Sequence, residues 1–318
     1  MTALYVENLV SKSLSSEEVE ILRKTGEIVH KTLNRALNIV KPGMKVLDLC
    51  EDLENYIRSQ GAKPAFPVNV SINEVAAHYT AKIDDEYTIP EKSIVKIDVG
   101  AHIDGLIVDA AITVSFNPIY DKLLEASIEA LKAVKTVLKH GVPIRKIGQV
   151  IEKTIKSFGF KPIENLTGHL IRRYELHAGK SIPNVDNGDE RHVVQGEIYA
   201  IEPFATDGAG SVIDYPIYTI FRLQITTAKQ LKKIQKKYGN IINDILNIND
   251  HLPFTPRWLK DKYENINDII ENLVKENVLY AYPVLVEQRK GMVSQFEDTF
   301  IIYEDKCEEL AHTLELFK

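Results

Sequence analysis

The sequence predicts an α+β fold made of two similar halves whose sheets face each other across a pseudo-dyad, with helices outside and one small helical insertion. Three observations lead there. A 24-residue segment recurs at a shift of 98, amphipathic helices interleave with apolar strands in both halves, and the chain changes character from Arg222 to Tyr282.

Lys41 to Pro64 (KPGMKVLDLCEDLENYIRSQGAKP) and Lys139 to Pro162 (KHGVPIRKIGQVIEKTIKSFGFKP) share Lys41/Lys139, Gly43/Gly141, Glu54/Glu152, Ile57/Ile155, Ser59/Ser157, Gly61/Gly159, Lys63/Lys161 and Pro64/Pro162. Each copy reads as a long amphipathic helix, a Gly-marked stop, a helix of about 14 residues, then Gly and Pro before a strand. The first long helix spans Ser16 to Val40, capped by Ser15 or Ser16, with Glu17 and Glu18 in the first turn where the helix dipole favours acid. Its counterpart, Tyr120 to Lys139, carries Leu123, Leu124, Ile128, Leu131, Val134 and Leu138 at helical spacing. Strand-like runs follow at residues 93–99, 105–114, 197–202 and 296–303. From Arg222 to Tyr282, Lys-rich helical patterns flank Pro253, Pro256 and the sole Trp258, which marks the insertion. Its basic face reads as a solvated one.

Thirty-nine basic against 45 acidic residues leave a net charge of −6, so no basic field is available for a nucleic-acid backbone. No secretory leader is legible in Met1 to Glu7, and no run approaches the ~18 apolar residues of a membrane span. Cys50 and Cys307 lie far apart without a Cys-x-x-Cys spacing, which fits reduced, buried thiols in a cytoplasmic protein. Thiolate is therefore not a candidate metal ligand.

The chemistry concentrates in carboxylates placed on strands. Asp104-Gly105 favours a type I′ hairpin turn, and counting back from it pairs Asp98 with Ala111 and Gly100 with Asp109. Asp98 and Asp109 then sit as diagonal neighbours on one face. Two carboxylates inside apolar strands repel and lose hydration, and a hard cation relieves both costs. The second half repeats the feature: Ile94 to Asp98 and Ile198 to Glu202 superpose at a shift of 104, and the Asp109 strand corresponds to the Glu297 strand. The intervals are 109 − 98 = 11 and 297 − 202 = 95, and the insertion lies inside the excess. His78 and His177 stand 99 apart, near the repeat shift, whereas His169 has no partner in the first half. His169 and His177, eight residues apart, share a face if their segment is extended. Four carboxylates and an imidazole suit two divalent ions such as manganese, iron or cobalt, and metal-assisted hydrolysis is the reaction class.

This ordered set, Asp98, Asp109, His169, Glu202 and Glu297, resembles the methionine aminopeptidases of the pita-bread fold. The phrases FPVNVSIN from Phe66 and GHLIRRYELHAGKSIPN from Gly168, with the insertion before the last acid, look like the type II branch. The resemblance implies excision of the initiator methionine from nascent peptides whose second residue is small. It implies that Asp98 chelates one ion, that Asp109 and Glu297 bridge both, and that His169 and Glu202 complete the other, the ions being Co, Mn, Fe or Zn. Glu202 would also exchange a proton with the attacking water and the leaving amine. His78 and His177 would contact the substrate, one steadying the scissile carbonyl and the other the peptide beyond it, while Phe66 and Leu176 line the methionine pocket. Some type II members carry a further pocket histidine after the Glu202 strand, where this chain has Ile217-Tyr218. The expected setting is one catalytic domain over residues 1–318 with 222–282 inserted, a cytoplasmic monomer meeting its substrates near the ribosome, without nucleic acid or membrane as a primary ligand. Two alternatives stand beside it. An X-Pro aminopeptidase or prolidase-like peptidase would carry an N-terminal domain, for which the chain leaves no room, and a non-catalytic pita-bread binding protein would have replaced ligands.

Overall fold

The computed structural model describes residues 14–225 and 227–317, so the reading of Met1 to Glu7 lies outside the described residues. The first half opens with α1 (Ser16–Ile39) and α2 (Val46–Ser59), and the second with α3 (Asp121–Val137) and α4 (Ile144–Ser157). Ser15 and Glu18 close a reciprocal capping box on α1, which satisfies two of its otherwise unpaired N-terminal groups. The buried stripe Leu22, Ile28, Val29, Leu33 and Ala36 then lays α1 on the first sheet.

First-half strands are β1 (Lys63–Pro64), β2 (Asn69–Ile72), β3 (Val75–Ala77), β4 (Ile94–Ile103) and β5 (Leu106–Ser115). Second-half strands are β6 (Lys161–Pro162), β7 (Thr167–Ile171), β8 (Ser181–Pro183), β9 (Ile198–Ile201), β10 (Phe204–Thr206), β11 (Val212–Leu223), β12 (Leu279–Glu287), β13 (Val293–Gln295), β14 (Asp298–Ile302) and β15 (Cys307–Glu309). The β4–β5 hairpin turns at Asp104 (φ 51°) and Gly105 (φ 80°), as a type I′ turn requires, and pairs Asp98 with Ala111 and Gly100 with Asp109. The second half repeats this hairpin in two pieces, β9 on β14 and β10 on β13. Its ladder is interrupted at Glu202-Pro203, where proline has no N–H to donate.

The two halves meet edge to edge, not face to face as expected. Ala111 and Glu297 exchange backbone hydrogen bonds of 3.4 and 3.0 Å. On either side a threonine hydroxyl bridges the strands: Thr299 Oγ1 accepts from Asp109 N and donates to Asp109 O, and Thr113 Oγ1 accepts from Gln295 N and donates to Gln295 O. The free edge of β5 finds its partner in the stretch of residues 295–299 that β15 leaves uncovered, so no edge is exposed there. Lys96 adds a second tie, its buried ammonium donating to Asn73 O and Val293 O at 3.0 and 2.9 Å.

β11 and β12 form a long antiparallel ribbon that also pairs with β3, and α5 (Ala228–Tyr238), α6 (Asn240–Asn249) and α7 (Ile266–Lys275) hang from its far end. Within 222–282, therefore, residues 222–223 and 279–282 are strand ends and the helices lie between them. This part has its own core, including Phe221, Ile242, Phe254, Leu259, Ile270 and Leu273. A buried ion pair fastens it to α2: Arg257 donates to both Glu54 oxygens at 3.0 and 2.8 Å, and Trp258 Nε1 adds a third bond at 2.7 Å. Both cysteines are free, Cys50 buried and Cys307 half-buried. No helix among the described residues is long and apolar enough to cross a membrane.

Candidate metal centre and substrate pocket

Asp98 lies on β4, Asp109 on β5, His169 on β7, and Glu202 and Glu297 at the two breaks of the second hairpin, so both hairpins contribute acids. Asp109, His169 and Glu297 are 4, 7 and 1% exposed and offer ligand atoms within 4.8 Å of one another. His169 Nε2 stands 3.5 Å from Asp109 Oδ2 and 3.6 Å from Glu202 Oε1. Asp98 and Asp109 are diagonal neighbours in the hairpin register, close enough for the Asp109 charge to raise the Asp98 carboxyl.

Burial is the leading cause of the shifted acidities here. It pushes Asp109 up to about 7, and together with neighbouring carboxylates it raises Asp98, Glu202 and Glu297 well above their ordinary range. The same burial lowers His169 to about 4, keeping its imidazole neutral and able to ligate. Asp98 Oδ1, Asp109 Oδ1 and His169 Nδ1 have no hydrogen-bond partner despite being buried. Hard oxygen donors, a neutral imidazole, unpartnered lone pairs and four crowded carboxyls are what divalent cations would satisfy, so the residues fit a metal centre.

The substrate side is built differently from the expectation in one respect. His169 and His177 do not share an extended segment. Arg172 and Glu175 bridge, Tyr174 takes a left-handed φ of 58°, and Ala178 N bonds Leu170 O, so the chain folds back on itself. That turn, rather than strand alternation, sets the two rings 4.4 Å apart. His177 is exposed, and its basicity is reduced first by desolvation and further by the Arg222 charge. His78, also left-handed at φ 66°, donates from Nδ1 to Pro283 O at 3.2 Å, since a carbonyl can only accept. Phe66 lies flat on Gly100, so closely that a Cβ there would be 2.2 Å from its Cε1. Gly100 follows Asp98 by two residues on the same face, which sets the Phe66 ring beside the acids. Leu176 is buried next to His177 in the main core.

Sequence reasoning missed three residues of this wall. Tyr282 packs its ring 5.5 Å from His78. Arg222 lies across the β11–β12 ribbon from Tyr280. Gln295 donates from Nε2 to Glu297 Oε2 at 2.9 Å and thereby orients that carboxylate. Gln295 had a signal, an even spacing before Glu297 on an apolar strand.

A pseudo-two-fold α+β fold holding convergent acids and one imidazole defines the chain as a metal-dependent hydrolase. More narrowly, it belongs to metallopeptidase family M24, whose sequence profile matches residues 20–304, and its fold is that family's pita-bread fold. It is 46% identical over 295 residues to a methionine aminopeptidase of Saccharolobus solfataricus, covering 92% of this chain and 97% of the relative. Among solved structures, a thermophilic Arx1 matches with TM-score 0.78 at 20% identity, over 96% of this chain and 95% of that one. A methionine aminopeptidase of Thermotoga maritima matches with TM-score 0.68 at 22% identity, over 94% and 98%. The structural likenesses speak for the fold and the sequence likeness for the family.

Proposed function

We propose that this chain is a methionine aminopeptidase that removes the N-terminal methionine of nascent peptides whose second residue is small. The observation that carries the reading is the gathering of Asp109, His169 and Glu297 within 4.8 Å, with Asp98 and Glu202 near enough to feel the Asp109 charge, beside Phe66 and the His169–His177 ring contact. Asp98 would hold one divalent ion, Asp109 and Glu297 both, and His169 and Glu202 the other. Two such ions, Co, Mn, Fe or Zn, supply Lewis acidity at the scissile carbonyl and lower the pKa of water toward neutrality.

The chain's own groups account for the rest. Glu202, whose carboxyl is raised by burial and by Asp109 and Asp98, takes a proton from the attacking water and returns it to the leaving amine. His78 is kept neutral by burial and its Nδ1 proton is committed to Pro283 O. Its Nε2 is therefore an acceptor, suited to a peptide N–H beyond the scissile bond. His177 is left to donate to the carbonyl oxygen as negative charge develops there. Phe66 and Leu176 enclose the methionine side chain.

We read residues 1–318 as a single catalytic domain interrupted by 222–282, acting in the cytoplasm as a monomer close to the ribosome. The test is release of methionine from Met-Gly and Met-Ala peptides by the metal-loaded protein, with Leu-Pro offered in parallel. Inactivity across Mn, Fe, Co and Zn overturns the reading, and cleavage of Leu-Pro in preference to Met-Ala replaces it with an X-Pro peptidase. Metal analysis of protein purified without added ions, and light scattering for mass, check the cofactor number and the monomer.

A further inference from the structure

We propose that Arg222 and Tyr280 form a subsite for the substrate beyond the scissile bond, and that Arg222 selects peptides carrying an acidic side chain two or three residues after it. The inference rests on the aminopeptidase reading. In the ribbon, Ile220 opposes Tyr282 and Arg222 opposes Tyr280. Opposed residues share a face. The alternate pairs, Phe221 with Ala281 and Leu223 with Leu279, pack into the insertion core, so the Arg222 face turns toward the site.

Ring contacts trace the path along that face. His78 touches Tyr282 at 5.5 Å between centroids, and Tyr282 touches Tyr280 at 4.9 Å. Ile220 and Tyr282 are buried whereas Arg222 and Tyr280 are exposed, so the row climbs from the histidine to the mouth. Two such steps span at most about 10 Å, roughly three residues of an extended peptide at about 3.3 Å each. Arg222 stands two residues beyond Ile220 on the strand facing Tyr282 and Tyr280, which places it at the rim end of the aromatic row. Among the described residues no hydrogen bond or ion pair engages its guanidinium. A planar, unpaired fork at the exit of an aromatic row is suited to a carboxylate on a passing chain.

The experiment compares kcat/KM for amidated Met-Ala-Ala-Glu, Met-Ala-Ala-Gln and Met-Ala-Ala-Lys, and for the same series with the variable residue one place earlier. The metal-loaded wild type, Arg222→Gln and Arg222→Glu are each assayed. The wild type is expected to favour Glu over Lys by about two- to tenfold, the range for an exposed charge pair, through KM rather than kcat and less so at high salt. The preference should vanish in Arg222→Gln and invert in Arg222→Glu. An unchanged Glu/Lys ratio in Arg222→Gln, with Met-Ala-Ala-Gln still cleaved by the wild type, overturns the assignment of Arg222 alone. Failure of the wild type on Met-Ala-Ala-Gln overturns the aminopeptidase reading and this inference with it.

Discussion

Replacing Asp109 with Asn should make the metal-free protein more stable while abolishing metal binding and activity. Burial raises the Asp109 carboxyl from 3.8 to about 7, and at 1.36 kcal/mol per pH unit its ionisation in the metal-free fold costs about 4 kcal/mol. The sign follows from proton counts. Between the two values the folded state holds a proton that the unfolded state has lost, so stability falls as pH rises through this window. Asparagine has the same shape and no ionised form. The variant's gain over wild type should therefore be less than about 2 kcal/mol at pH 5 and reach about 4 kcal/mol at pH 8. Urea unfolding of chelator-treated protein at the two pH values measures it. Metal offsets the difference: at about a thousand times Kd the wild type gains about 4 kcal/mol and the variant none, which brings the two level at pH 8 and puts the wild type ahead at pH 5. A metal-stripped variant no more stable than wild type at pH 8, or a gain that does not grow with pH, refutes the reasoning.

Three further outcomes are expected. Gly100→Ala puts a Cβ 2.2 Å from Phe66 Cε1 and must displace the ring; kcat/KM for Met-Ala peptides should fall about tenfold or more, with the metal content of the wild type retained in metal analysis. Arg257→Met strands Glu54, which is 1% exposed, and should cost about 3–5 kcal/mol in urea unfolding, much of it recovered in Arg257→Met/Glu54→Leu. Metal affinity should rise from pH 6 to pH 8, because Asp98, Asp109, Glu202 and Glu297 give up protons to bind; calorimetry in buffers of different ionisation enthalpy reads the protons released, and an absence of proton release would count against the raised acidities.

What could be read from the sequence depended on whether a local signal set the geometry. Asp104-Gly105 fixes the turn of the β4–β5 hairpin, and one turn determines every pair behind it, including the placing of Asp98 against Asp109. The β11–β12 ribbon had no such signal. Pro216 and Pro283 interrupt its apolar runs and coincide with register shifts on either side of Tyr218. Which of its faces lines the site is decided by the insertion core behind it, a tertiary fact, so Tyr282 and Arg222 were invisible. His177 was picked out by its 99-residue interval to His78; its approach to His169 was read from an even spacing that holds only for an extended segment, and the left-handed Tyr174 that turns the chain back is not a residue type that announces such a turn.

The pseudo-dyad itself holds the least legible feature. Register makes Asp98 equivalent to Glu202, but Ala111 equivalent to Glu297 and Asp109 equivalent to Gln295. The outer-strand acids are thus displaced by two residues, and the displacement has a geometric reason. β5 and the 295–299 stretch run antiparallel, with 109 opposite 299, 111 opposite 297 and 113 opposite 295. Acids at both 109 and 295 would stand four rows apart, about 13 Å, too far to share an ion. Acids at both 111 and 297 would be directly opposed and maximally repulsive. Asp109 with Glu297 is the diagonal between these extremes, which brings both toward one centre while Gln295, in the place of a second aspartate, donates to Glu297 without adding charge. Two copies of one hairpin make the scaffold, and its asymmetry by one alternation makes the candidate metal centre. Gln295→Glu should therefore remove the hydrogen bond that orients Glu297 and set a second carboxyl against it, so that the pair holds a proton and metal affinity, read by calorimetry, falls most at low pH.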